Sequence, residues 1–214
     1  RGVAGEGGAD LDALAREAFD ALPLELHSEG RMTIPRIRAL ILRKRAEWKK
    51  AGVRLGLVCI DHMGLVLSGM RTRGRYEDQT ETAGLTKQLA KDLEVPVLAL
   101  VQLGRQVEQR DDKRPQVSDL KDSGSWENDA DMVWLAYREA YYALQEKEPD
   151  ESGGMKGRMS WADWNERRRS PFIDLFLPKI REGRPGAVRL WASMKTNSIR
   201  GEAPDTGGLF NGED

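Results

Sequence analysis

Cysteine is nearly absent from this chain of 214 residues: Cys59 is the only one. No disulfide can form within the chain, which fits a reducing, cytoplasmic setting. Histidine is almost as scarce, with two residues, and His62 has no second His or Cys at metal-ligand spacing, so it reads as a loop residue. No apolar run approaches the roughly 18 residues needed to cross a bilayer, and no signal-peptide pattern opens the chain. Net charge is missing too, with 34 basic against 35 acidic side chains. Any surface for a polyanion must therefore be local, such as Arg167–Arg169 or the basic residues around Lys121. No internal repeat is visible.

What is present is an alternation of helical and strand patterns. Asp10 can cap a helix running to about Leu22, and Leu24–Leu26 has the pattern of a short strand. Thr33 is a candidate N-cap with Pro35 in the first turn, followed by Ile34, Ile37, Leu40, Ile41 and Trp48 at helical spacing as far as Lys50. Leu55–Ile60 is a continuous apolar strand ending in Asp61, and the stretch from Gly64 to Arg75 is loop-like. Glu77–Leu93 reads as a helix, with Thr82, Leu85, Leu89 and Leu93 on one face. Pro96–Val101 and Met132–Tyr137 are strand patterns, and Ile173–Ile180 and Ala187–Met194 form a hairpin across Arg181–Gly186. This order predicts an α/β fold, with a mostly parallel sheet covered by helices on both faces and a C-terminal antiparallel hairpin. The organisation expected is a flexible or cut end over 1–10, one domain over 11–201 with an insertion at about 141–170, and a flexible tail over 202–214.

Four places could carry chemistry. Asp61 puts a carboxylate at the edge of a sheet, where it suits Mg²⁺ contacted directly or through water, or else a turn after a strand. Gln102 follows the strand Pro96–Val101, so its amide suits a phosphate oxygen or an attacking water, or else an ordinary strand-end hydrogen bond. In Ser118–Trp126, Lys121 supplies a cation, Ser123 and Ser125 supply hydroxyls, and Gly124 lets a backbone amide come close to a ligand oxygen. Such a segment holds a phosphodiester backbone without reading bases, or is a capped surface helix. Lys179 and Arg181 project to one side of a strand. They suit the terminal phosphate of a nucleotide on a neighbouring subunit, or act as edge charges against aggregation.

Taken together these residues resemble the C-terminal, RecA-like motor domain of the DnaB-family replicative DNA helicases, over about Leu11–Gly201 and most densely over Glu81–Arg138. LVCIDHMG from Leu57 looks like the Walker B strand, and VQLGR like the motif whose glutamine senses nucleotide. SDLKDSGSWENDAD looks like the motif with a DNA-binding loop, and LPKIREGRPG like the segment with the trans-acting Lys and Arg. The resemblance implies a RecA-like P-loop NTPase core using ATP and Mg²⁺, in which Asp61 assists the metal and Gln102 couples the γ-phosphate to the DNA loop. It further implies that Lys121, Asp122, Ser123 and Gly124 face single-stranded DNA, and that Lys179 and Arg181 reach ATP on the adjacent subunit of a ring hexamer. The whole protein would translocate 5′ to 3′ and unwind duplex, with primase and a helicase loader as partners. Three departures stand out. The 214 residues contain no G-x-x-x-x-G-K-[ST], so this chain alone is expected to be inactive. Lys121 stands where the family usually has Arg, and the connection over 141–170 is longer than usual. The alternatives are a truncated, non-catalytic DnaB-like paralogue and a recombinase or circadian-clock-type ATPase of the same fold.

Overall fold

The computed structural model describes residues 17, 19, 21–120, 123–149 and 159–201, the side chain of Ser123 excepted. Its strands and helices fall into two units, Arg1–Leu100 and Val101–Asp214.

In the first unit all strand pairing among the described residues is parallel. β1 (Met32–Thr33) pairs with β3 (Val66–Leu67), and β2 (Val58–Ile60) pairs with β4 (Val97–Ala99). α1 (Ile34–Lys50) starts where expected: Thr33 is its N-cap, accepting from the Arg36 amide at 3.4 Å, and Pro35 sits in the first turn. Pro is tolerated there because its missing N–H would have no intrahelical partner. Ile34 and Ile37 are buried, and Leu40, Ile41 and Trp48 are half-buried, so the helical spacing identified the correct face.

α2 (Arg75–Leu93) links β2 to β4 and buries a face that is polar at one end and apolar at the other. Asp78 accepts from the Ser68 amide and hydroxyl at 3.1 and 2.6 Å, and Thr82 and Thr86 donate back to the carbonyls one turn earlier at 2.7 Å. Leu89 and Leu93 close the apolar end at 2% and 1% exposure. Satisfied polar groups of this kind cost little to bury.

Several local expectations are corrected. Leu24–Leu26 is not a strand; Leu24 and Leu26 are 49% and 73% exposed and pair with nothing in a sheet. An isolated three-residue strand has no ladder to hold it. The apolar strand Leu55–Ile60 is regular only over Val58–Ile60, and Leu57 and Cys59 are exposed rather than buried on both faces. The loop from Gly64 contains a 3-10 turn, Met63–Leu65, and then β3, whose partner β1 lies far away in sequence and so leaves no local signal. α2 begins at Arg75, before Glu77. Of the helix expected to end at Leu22, only residues 17, 19, 21 and 22 are described, and the Ala21 amide bonds the Glu17 carbonyl at 3.0 Å.

The second unit carries α3 (Ser123–Asp129), β5 (Met132–Tyr137), α4 (Glu139–Ala143), α5 (Trp161–Arg169), β6 (Phe172–Ile180), β7 (Gly186–Ser193) and β8 (Ser198–Arg200). The predicted hairpin is β6–β7, and it extends into a four-stranded antiparallel sheet in the order β5-β6-β7-β8. β5 alternates strictly: Val133, Leu135 and Tyr137 are buried, and Met132 and Trp134 are exposed. On either side of residues 150–158, which lie outside the described residues, α5 packs on α4. Trp164 is 6% exposed, its indole N–H donates to the Ala143 carbonyl at 3.0 Å, and the Arg168 guanidinium lies 4.9 Å from its ring centre. Arg167 bonds Glu139 and Glu146, so Arg167–Arg169 is in large part engaged within the protein.

Candidate functional site

Asp61 follows β2 directly and is exposed. The next residue, His62, folds back so that its Nδ1 accepts from the Gly64 amide at 3.1 Å, capping the 3-10 turn in keeping with a loop role. No group of three His, Cys, Asp or Glu suited to a metal occurs among the described residues. A lone exposed carboxylate fits Mg²⁺, which commonly takes one or two protein carboxylates and completes its shell with phosphates and water.

Gln102 is exposed and lies in the second unit, at the head of an irregular polar segment. That segment is closed on itself. Leu103 bridges Leu120 in antiparallel fashion, and the Gly104 amide donates to the Asp119 carbonyl at 2.6 Å. Arg110 grips Asp119 with both arms of its fork, Nη1 to Oδ1 at 3.0 Å and Nη2 to Oδ2 at 2.7 Å. Neither Arg110 nor Asp119 stood out in the sequence. Two charged residues nine apart in an irregular segment share no periodicity that would pair them.

Lys121 and Asp122 lie outside the described residues. Ser123 and Gly124 open α3, with Trp126 buried on the same helix. A Cβ built on Gly124 would meet nothing within 4 Å among the described residues, so none of them demands glycine there.

Lys179 and Arg181 come together at the other end of α3. Lys179 donates its ammonium to the Glu127 and Asn128 carbonyls, the latter at 3.3 Å. Arg181 reaches the Asn128 carbonyl at 3.5 Å and the Asp131 carboxylate at 3.4 Å, and its amide donates to the Asp131 carbonyl at 2.8 Å. Cations belong at a helix C-terminus, where unpaired carbonyls carry partial negative charge. The structure therefore joins the Lys–Arg pair to the helix that Gly124 opens, a connection the sequence did not reveal.

The fold is of the RecA-like ATPase type. A solved structure described as a DnaB-like replicative helicase and its interactions with primase superposes with a TM-score of 0.74 at 26% identity, covering 94% of this chain and 42% of the other. A second solved structure, described as an ATPase domain, gives 0.73 at 25% identity over 92% of this chain and 61% of that one. The family model for the DnaB-like helicase C terminal domain matches residues 8–200, and the chain belongs to that family. Among curated relatives, the replicative DNA helicase DnaB of Rickettsia bellii is 38% identical over 86% of this chain, and that of Geobacillus stearothermophilus 45% over 50%. The chain spans 36% of the length of the first and 24% of the second.

Proposed function

We propose that this chain is the coupling part of a DnaB-type ring motor, whose assembled form hydrolyses ATP with Mg²⁺ to move 5′ to 3′ along single-stranded DNA and part the duplex. Asp61 would assist the metal, directly or through water, and Gln102 would respond to the γ-phosphate. Lys121, Asp122, Ser123 and Gly124 face the DNA backbone. Lys179 and Arg181 reach nucleotide on the adjacent subunit of a hexamer. Primase and a loader are its expected partners, the former in keeping with the solved helicase whose interactions with primase are described. A cytoplasmic setting is in keeping with the single cysteine; no helix among the described residues is long and apolar enough to cross a membrane.

The observation that carries this reading is the contact of Lys179 and Arg181 with the end of α3. Lys179 and Arg181, assigned to nucleotide, contact the C-terminal end of the short helix that belongs to the motif assigned to DNA. In the structure Lys179 holds two neutral carbonyls, and Arg181 holds one neutral carbonyl and the Asp131 carboxylate. A phosphate is the better acceptor for these charged donors, because it adds the attraction of a full opposite charge to the hydrogen bond. Engaging nucleotide would thus withdraw support from the far end of α3, linking the phosphate to DNA contact.

Arg181→Ala in the assembled protein tests the assignment. Turnover should fall by about 10³-fold or more, because an arginine finger acts on transition-state charge, while nucleotide affinity stays within about twofold. Retained turnover removes Arg181 from the role. An assembled wild type that binds DNA without hydrolysing ATP would instead support the non-catalytic alternative.

A further inference from the structure

Between Gln102 and Lys121 the chain has no regular hydrogen bonding beyond two 3-10 turns, Arg105–Gln109 and Val117–Asp119. A polar segment of this kind buries little that would order it, apart from Val107 at 3% exposure and Pro115. It is ordered around one carboxylate. The Asp119 side chain is 3% exposed and accepts three hydrogen bonds, two from the Arg110 fork and one from the Gln116 amide at 2.7 Å. Arg110 also donates to the Arg114 carbonyl at 2.9 Å, tying the middle of the segment to the same point. A buried carboxylate is tolerable only when paired and hydrogen-bonded in this way.

The consequence is geometric. With Leu103 bridged to Leu120 and Gly104 bonded to Asp119, the two ends of the segment lie one bridge apart, about 5 Å between partner Cα atoms. Gln102 directly precedes one end, and Lys121 directly follows the other. A displacement at Gln102 therefore need not pass through the length of an irregular loop. It passes across the bridge that Arg110 and Asp119 keep closed. A Cβ on Gly104 would lie 3.4 Å from the Asp119 carbonyl oxygen, in ordinary van der Waals contact, so the two strands of the bridge pass side by side.

We propose that Arg110 and Asp119 are positioning residues that lock Gln102 to the start of the DNA-facing segment. This inference rests on the DNA-binding reading above. Released from the lock, residues 103–120 would have to be ordered each time DNA binds, and that entropy cost weakens association.

The test uses the 214-residue chain and a fluorescein-labelled oligothymidine, read by anisotropy, with amide exchange followed on the same samples. Arg110→Gln should raise Kd about tenfold and expose the Gly104 amide to exchange, while the β5–β6 ladder keeps its protection. Arg110→Lys, which keeps the charge but loses the fork, should fall between wild type and Arg110→Gln. It also serves if Arg110→Gln fails to fold: unchanged affinity with Gly104 deprotected overturns the lock. Lys121→Ala separates the two levels of the argument. If it weakens binding while Arg110→Gln does not, the lock is wrong and the DNA reading stands. If wild type does not bind, or binds no better than Lys121→Ala and Arg110→Gln alike, the DNA reading fails and the lock with it. Loss of β5–β6 protection in both Arg110 variants would mean a general folding role and would also overturn the proposal.

Discussion

Two neighbouring parts of the second unit are ordered by opposite means. The sheet around β5 and β6 is held by apolar burial: Val133, Leu135, Tyr137, Ala140, Ala143 and Trp164 are all 7% exposed or less. The segment 103–120 buries only Val107 and Pro115 among its apolar residues and is held chiefly by hydrogen bonds, centred on one buried carboxylate and its three donors. Apolar burial is non-directional and tolerates small shifts, whereas a forked ion pair holds only within a narrow geometry. The difference suits the parts assigned to each. A scaffold should keep its shape in any nucleotide state, and a coupling segment should pass small displacements on. A surface pair makes a useful contrast: Arg189 forks onto Asp174 with similar distances, but its side chain is 64% exposed, so solvent screens it and it adds little.

The comparison breaks most sharply at Leu135. Leu135→Ala removes a side chain that is 3% exposed at the centre of the alternating strand. Unfolding in urea should show a loss of about 3 kcal/mol, within the usual range for such a cavity. Because the order of 103–120 comes from hydrogen bonds rather than from this core, the Gly104 amide should exchange at the wild-type rate in water once corrected for global opening. Faster local exchange would mean that the two parts share one source of order.

A smaller effect is expected where apolar packing and a polar contact meet in one residue. The Tyr137 ring stacks on Tyr142, with centres 5.5 Å apart, and its hydroxyl donates to the Glu139 carboxylate at 2.9 Å. Burial first, and then this hydrogen bond to a carboxylate, pushes the phenol well above its ordinary value of 10.0. The folded state thus holds the proton more tightly than the unfolded state. Its contribution is complete below the unfolded value near 10 and is lost as pH rises above it. Tyr137→Phe should cost about 1 kcal/mol at neutral pH, the net worth of one hydrogen bond. It should also flatten the decline in stability above about pH 10, measured by chemical denaturation across pH. An unchanged alkaline slope would assign that decline to other groups.

The same contrast explains how far the sequence could be read. Regular apolar spacing exposed α1, α2, β5 and the β6–β7 hairpin, because burial writes a period into the chain: Ile34 and Ile37 on one helix face, Val133, Leu135 and Tyr137 on one strand face. The site residues were named from their places along predicted strands and by motif, neither of which needs a knowledge of tertiary contacts. What stayed hidden were the contacts made by directional groups without a period. The Arg110–Asp119 fork joins residues in an irregular segment, and the capping of α3 by Lys179 joins residues 51 and 52 positions apart. β1 and β3 went unread for a related reason, since two-residue strands exist only through each other.

The smallest expected effect has the most to say about function, because its two readouts should move in opposite directions. Gly124 stands near the start of α3 with open space where a Cβ would be, and it has no left-handed backbone conformation that would require glycine. By helix propensity alone alanine is the better residue, by about 0.5–1 kcal/mol, and part of that gain also comes from a less flexible unfolded chain. Gly124→Ala should therefore raise the urea midpoint slightly. If the bare backbone is there to approach a phosphodiester, the same methyl group should weaken binding of the labelled oligothymidine by several-fold. A variant that is more stable and binds less well would show that this glycine serves the ligand rather than the fold. A variant that is more stable and binds equally well would remove Gly124 from the DNA-facing set, leaving Lys121 as the residue on which that assignment depends.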